Sequence, residues 1–173
     1  MRNILREFRQ NEVRKYLENS IILDIGSSCY PISFKGITID VRREKKPEIC
    51  ASTLALPICD NSIDTVTLLE VIEHFTFETQ KQIVKEIQRI LKLNGKIILT
   101  MPNYSLYLKL FQDIIWFCRE RTTEKEYYNA KFTHAHIGKI SPEHLKQLFG
   151  KEFTILNAKR LFLYDYLLIA QKQ

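Results

Sequence analysis

The chain has 173 residues, of which 45% are hydrophobic and 27% charged, and a formal net charge of +6 at neutral pH. That is enough chain for one domain with a sizeable core. Only 5 glycines and 5 prolines exclude collagen-like and Gly/Pro-rich disordered classes. The same scarcity counts against a glycine-rich loop that cradles phosphates. No uncharged apolar run reaches the roughly 18 residues of a membrane span. Charges run through residues 1–17, so no secretory segment is expected and the cytoplasm is the expected compartment. Cys29, Cys50, Cys59 and Cys118 form no Cys-x-x-Cys pair, so neither a metal site nor a disulfide scaffold is expected. Reduced, mostly buried thiols are the expectation.

Residues 3–18 read as a helix, with Ile4, Leu5, Phe8, Val13, Tyr16 and Leu17 near helical spacing. Residues 21–26 form a short apolar run ending in glycine, which reads as a buried strand. Residues 36–40 make a second strand ending in Asp40, and the β-formers of 63–69 a third. The clearest helix spans 76–91, capped by Thr76, with Ile83, Val84, Ile87, Ile90 and Leu91 on one face. Asn94-Gly95 is expected to stop it and lead into a strand over 96–100. Ser141-Pro142-Glu143 opens a second helix, with serine as cap and proline in the first helical position, and Gly150 ends it. Residues 153–156 and 161–170 read as two closing strands, an antiparallel hairpin. Strands separated by helices imply an α/β fold with a mostly parallel sheet and ligands at the carboxyl ends of its strands.

Three strand ends carry distinctive residues. Gly26 directly follows the first strand, where a backbone without Cβ can turn tightly and approach a ligand. Asp40 ends the second, placed to accept hydrogen bonds from ribose hydroxyls. The third runs into Glu70-Val71-Ile72-Glu73-His74. The loop Gly26-Ser27-Ser28-Cys29-Tyr30 holds one glycine, unlike the G-x-G-x-x-G of dinucleotide sites, and no Gly-Lys-Ser/Thr P-loop is present. A nucleoside cofactor without phosphate remains: S-adenosylmethionine.

At this point the chain resembles the class I S-adenosylmethionine-dependent methyltransferases of the broad type-11 group. Leu23-Asp24-Ile25-Gly26-Ser27-Ser28 resembles the first motif of that family and Ile39-Asp40 the second. Leu56-Pro57-Ile58-Cys59-Asp60-Asn61-Ser62-Ile63-Asp64-Thr65-Val66 resembles its "LPF-x-DxSFDxV" stretch, continued by Glu70 to His74. Ile90-Leu91-Lys92-Leu93-Asn94-Gly95-Lys96, followed by Met101-Pro102-Asn103, resembles "LKPGG…PN". The resemblance implies a Rossmann-like mixed seven-stranded sheet with helices on both faces, as a single domain over residues 1–173. It implies a methyl transfer by in-line displacement. The Gly26-Ser27-Ser28 turn would pass under the methionine portion, and Asp24 would bond near the amino group or brace the turn. Asp40 would hold the ribose, Val41 the adenine face, and Ser52, Thr53 and Leu54 the adenine edge. Leu69 and Glu70 would lie near the amino group and the reacting methyl, with Asp64 structural. The sequence departs from the family at Ser28 and Tyr30, where further glycines are usual, and at Ser52, where an acid is usual. The nine residues between Gly26 and Gly36 imply that the usual first crossover helix is very short or absent.

Aligning nucleophile, methyl and sulfur supplies roughly 7–11 kcal/mol without an acid or base. A base helps when the acceptor carries a proton. Glu73 and His74 are the candidates, with cleft structure the commoner role of such a pair. Residues 1–19 form an N-terminal helical segment, and 104–140 an insert covering the acceptor site, as the family implies. Residues 104–118 are apolar on nearly every helical face, which fits core packing, a homodimer contact, or a lid over an apolar or aromatic small-molecule acceptor. Tyr104, Tyr107, His134 and His136 are the candidate substrate residues. The basic residues Arg2, Arg6, Arg9, Arg14 and Lys15, and Arg42, Arg43, Lys45 and Lys46, lack interleaved aromatics. A solvated basic surface is favoured, and the charge leaves a nucleic-acid methyltransferase open. The departures at Ser28, Tyr30 and Ser52 leave open a second class, a non-catalytic or regulatory binding domain of the same fold.

Overall fold

The computed structural model describes residues 2–17, 21–33, 35–102, 142–161 and 165–173. The elements run α1 (Arg2–Arg14), β1 (Ile22–Ile25), β2 (Ile37–Asp40), a 3-10 turn (Arg43–Lys45), β3 (Ile49–Cys50) and β4 (Ile63–Leu69). A second 3-10 turn (Ile72–His74), α2 (Phe77–Ile90), β5 (Leu91–Pro102), α3 (Pro142–Phe149), β6 (Phe153–Leu161) and β7 (Asp165–Lys172) follow. The seven strands form one sheet in the order β3-β2-β1-β4-β5-β7-β6. Strands β1 to β5 pair in parallel. Strand β7 is antiparallel to both β5 and β6. The chain order reverses between β1 and β4, so a crevice opens at their carboxyl ends.

Alternation along the strands sorts side chains into two layers. Leu23 and Ile25 of β1, Val66 and Leu68 of β4, and Ile97, Leu99 and Met101 of β5 pack with Ile83, Ile87 and Ile90 of α2 and Leu148 and Phe149 of α3. On the other face, Ile22, Ile98, Leu167 and Ile169 pack with Val13 of α1. Helices therefore cover both faces. Thr76 caps α2 as its sequence suggests, its Oγ1 accepting from the Thr79 N–H at 3.4 Å. Pro142 is the first residue of α3, and Gly150 closes that helix at φ +59°.

The structure corrects several boundaries. Helix α1 ends at Arg14 rather than near residue 18, and Ile4 and Phe8 of its apolar stripe are 70% and 44% exposed. Helix α2 passes straight into β5 at Leu91, so Asn94-Gly95 does not end the helix. The two residues lie inside β5, at a bulge where the register jumps from Ile63↔Leu91 to Thr65↔Lys96. Asn94 takes φ +62° there, a conformation asparagine tolerates. Strand β3 has two residues, too short for any periodic signal. Leu161 closes β6 instead of opening β7, because β6 is an outer strand whose polar residues alternate with few apolar ones. Cys29, Cys50 and Cys59 are exposed thiols, contrary to the expected burial, since they sit in two loops and at the end of an edge strand. Cys118 lies outside the described residues, as does Ser141.

Candidate functional site

The turn after β1 is built for close approach. Gly26 has φ +72°, and a Cβ there would sit 2.4 Å from Cγ2 of Val71. The glycine thus lets the β1 turn press against the segment that follows β4. Its N–H donates to the Ile39 carbonyl at 2.7 Å, fixing the turn on β2. Ser28 is also left-handed, at φ +52°. Ser27 is buried, and its Oγ has no hydrogen-bond partner among the described residues. Asp24 points to the same layer. Its Oδ1 accepts from Thr67 Oγ1 at 2.7 Å and its Oδ2 from the Ile32 N–H at 2.9 Å. Burial pushes its carboxyl above the ordinary range despite those bonds.

Residues 26–33 and 35–36 contain turns and no helix. Helix α1 holds this stretch instead. Gln10 Nε2 donates to the Tyr30 carbonyl at 2.9 Å, and Arg14 Nε to the Ile32 carbonyl at 3.0 Å. The Arg6 guanidinium stacks 3.7 Å from the centre of the Tyr30 ring.

Asp40 ends β2 with its carboxylate saturated. Oδ1 accepts from Arg42 N (2.9 Å) and Arg42 Nε (3.0 Å). Oδ2 accepts from Arg42 Nη2 (2.9 Å) and Ser28 N (3.2 Å). Burial works against the charge of Asp40, but the Arg42 side chain, the Arg42 N–H and the Ser28 N–H outweigh it and hold the carboxyl below its ordinary range. A carboxylate offers about four lone-pair sites, so any further donor must displace one of these four. The Arg42 side chain is 49% exposed and is the one free to leave. Next to Asp40, Val41 is exposed, as are Ser52 and Leu54, with Thr53 half-buried. Ser52 Oγ accepts from the Leu54 N–H at 3.2 Å.

The segment after β4 carries the most unusual electrostatics. Glu70 lies at φ +59°, and its N–H donates to the Thr100 carbonyl at 3.1 Å. Its Oε2 is 3.5 Å from Nη2 of Arg9, whose Nε donates to Asp165 Oδ2 at 2.8 Å. Glu70 Oε1, Glu73 Oε2 and Thr100 Oγ1 are buried without a hydrogen-bond partner among the described residues. Burial pushes Glu70 up to about 7; Arg9 pulls it back and Asp165 pushes it further. Burial pushes Glu73 up to about 8, and the charge of Glu70 adds to this.

Of the expected site residues that are described, those from Asp24 to Ser28, Asp40, Val41 and Leu69 to His74 lie at or just past the carboxyl ends of β1, β2 and β4, while Ser52, Thr53 and Leu54 follow β3. Leu69 is half-buried beside the α1-facing core. Glu73 is 1% exposed, whereas His74 beside it is exposed. Asp64 is structural, accepting from the Ile21 N–H at 2.9 Å and pairing with Lys92 at 2.8 Å. Asn103, Tyr104, Tyr107, His134 and His136 lie outside the described residues. Four neighbours escaped the sequence reading as site residues: Arg9, Arg42, Val71 and Asp165. Arg9 and Asp165 are 156 positions apart and no local pattern links them. Arg42 was visible only as one of a basic run.

The strand order and this carboxyl-edge site define a class I methyltransferase fold. Residues 16–99 match the family model described as a methyltransferase domain. An uncharacterised protein of Methanocaldococcus jannaschii is 32% identical over 108 residues, covering 57% of this chain and 47% of that protein. The chain therefore spans about half the length of the curated relative it matches. A SAM-dependent methyltransferase of Methanosarcina mazei superimposes with a TM-score of 0.68 at 19% identity, covering 93% of this chain and 96% of that one. Magnesium protoporphyrin IX methyltransferase of Synechocystis PCC 6803, solved with bound SAH, superimposes with a TM-score of 0.67 at 13% identity, over 99% and 83%. At such identities the structures share the fold. Among the described residues, no helix is long and apolar enough to cross a membrane.

Proposed function

We propose that this chain binds S-adenosylmethionine at the β1–β4 switch point and transfers its methyl group to a small apolar or aromatic acceptor. The observation that carries the reading is the Gly26 turn, where no side chain fits against Val71, beside the buried Ser27 hydroxyl, which has no hydrogen-bond partner among the described residues. Orphaned buried acceptors are costly and call for a donor. A ligand bearing an ammonium group meets that need, so the residues fit this cofactor. The bound cofactor supplies a methyl on a cationic sulfur, already activated for displacement.

The chain's own residues orient and desolvate. The Gly26-Ser27-Ser28 turn supplies backbone close to the ligand, braced from below by Asp24. Asp40 accepts from the ribose hydroxyls once Arg42 swings out to solvent, a movement that gives up a part-buried, two-bonded ion pair. Val41, Thr53 and Leu54 offer apolar surface to the adenine, with Ser52 at its edge. Glu70 and Leu69 border the methionine end. Glu73, held mostly protonated at neutral pH by its burial, loses its proton near pH 8 and can then take one from an acceptor. His74 is exposed. The apolar composition of 104–118 favours an apolar acceptor over nucleic acid.

Titration calorimetry of the full chain with S-adenosylmethionine tests the reading. Binding in the micromolar range is expected, and Asp40→Ala should weaken it by roughly tenfold to a hundredfold, the value of hydrogen bonds to a charged group. A folded protein that fails to bind at millimolar cofactor overturns it.

A further inference from the structure

The turn after β4 is held from behind by a buried amide. Gln80 of α2 is 1% exposed. Its Nε2 donates to the Ile72 carbonyl at 3.0 Å and to the Phe75 carbonyl at 3.0 Å, on either side of Glu73 and His74. Within the turn the His74 N–H donates to the Val71 carbonyl at 3.2 Å and the Phe75 N–H to the Ile72 carbonyl at 3.2 Å. A side-chain amide has two N–H donors and one acceptor oxygen. Gln80 spends both donors on the turn, so the atom that faces His144 Nε2 of α3, at 3.0 Å, is the acceptor Oε1. His144 must then carry a proton on Nε2. Its ring meets the Phe77 ring edge-on, with centres 4.3 Å apart, so packing also sets its direction. Val71, at the near end of the turn, is the residue against which Gly26 presses. Contacts therefore run unbroken from α3 to the cofactor turn, through His144, Gln80, the 71–75 turn and Gly26.

We propose that Gln80 and His144 are positioning residues of the cofactor site: Gln80 sets where the 71–75 turn stands against the Gly26 turn, and His144 fixes the orientation of the Gln80 amide. The inference rests on the cofactor reading above. In this scheme neither residue touches ligand or acceptor, and both act through Val71. An amide turns broadly about its last torsion, and a flipped Gln80 would set its oxygen against two carbonyls. The Nε2–H of His144 accepts only the orientation that gives both amide donors to the turn. A buried polar network satisfied at every atom selects one arrangement, whereas a half-satisfied one is costly. Gln80 and His144 are 64 positions apart, so the network forms only when α3 is seated on α2. The position of the Gly26 turn, and with it the affinity for the cofactor, thus depends on a helix that lies outside the site.

The test is calorimetry of the full chain with S-adenosylmethionine, using Gln80→Leu, His144→Phe and the double variant. The leucine keeps most of the volume and removes the three hydrogen bonds; the phenylalanine keeps a ring against Phe77 and removes one donor. Each single change should weaken binding by roughly twofold to thirtyfold, the span of coupling carried through packed neighbours. The double variant should bind no worse than Gln80→Leu, because His144 acts through the amide. Ile169→Val, in the core on the opposite face of the sheet, should lower the urea midpoint and leave affinity unchanged. In ligand-free protein, exchange of the His74 and Phe75 amide protons should quicken in both single variants and not in Ile169→Val. Nitrogen-15 NMR of the wild-type ring should find the His144 proton on Nε2. Unchanged affinity in Gln80→Leu, or losses that simply add in the double variant, overturn the inference while leaving the cofactor reading intact. A His144 ring protonated on Nδ1 alone overturns it as well, and decides the matter even where a variant does not fold. Failure of the wild-type chain to bind overturns the cofactor reading itself.

Discussion

Replacing Gly26 by alanine perturbs a place where two segments meet without room for a methyl group. The cost has two parts. Holding alanine at φ +72° costs about 1–2 kcal/mol in the left-handed region. The new Cβ would also lie 2.4 Å from Val71 Cγ2, well inside the 3.5–4.0 Å of an ordinary carbon contact. Val71 cannot yield freely, because it packs against the main core and follows Glu70, which is itself left-handed at φ +59°. Overpacking of this kind costs about 1–3 kcal/mol. The sum, roughly 2–5 kcal/mol, should lower the melting temperature on the order of 10 °C in a domain of this size. Circular dichroism melts and urea titrations of Gly26→Ala, Val71→Ala and the double variant separate the parts. In the Val71→Ala background the glycine replacement should cost only its backbone share, leaving a coupling of about 1–3 kcal/mol. An equal cost in both backgrounds refutes the contact. A cost below about 1 kcal/mol refutes the whole account of the turn.

Glu73 links stability to pH. Its folded pKa of about 8, and that of Glu70 at about 7, lie above the unfolded value of 4.5. The native chain thus holds protons the unfolded chain has released, and stability should fall as pH rises from about 5 to about 8. Urea midpoints of ligand-free protein across that range should show the decline, and Glu73→Gln should flatten its upper half; a rise in stability would contradict the burial argument. Arg42→Ala should tighten S-adenosylmethionine binding by up to about fivefold, since it frees one acceptor position on each Asp40 oxygen and spares the ligand a displacement that costs about 1 kcal/mol. Weaker binding in calorimetry would show that Arg42 helps hold the ligand. Asp24→Asn sets an NH2 group against one of two buried donors and should cost about 1–3 kcal/mol in a urea titration, with no change in the pH dependence of cofactor affinity. Thr76→Ala removes a long cap bond and should cost about 0.5–1 kcal/mol by the same measurement.

The helix over Phe77–Ile90 and the strand Ile63–Leu69 were legible because each is long and periodic enough to state its own buried face. The Gly26 turn was legible because a glycine directly after a short apolar run marks a tight turn. Strand β3 and the Asn94 bulge were not. A two-residue strand has no period, and a bulge follows from the pairing of β4 with β5, which neither strand encodes alone. The buried thiols expected from composition were wrong for a related reason: exposure depends on what lies over a loop, not on the loop.

What the sequence by itself determined is the order of the longer strands and helices and the residue types at the ends of β1, β2 and β4, since both follow from local pattern and short spacing. Only the tertiary structure decided how that chemistry is charged. Arg9 reaches Glu70 and Asp165 across nearly the full length of the chain because α1 lies over one face of the sheet. Arg42 fills the four acceptor positions of Asp40 together with the Ser28 N–H, a geometry that no spacing announces. Burial is a collective property of packed layers, and it is burial that turns two ordinary glutamates into groups that hold protons near neutral pH.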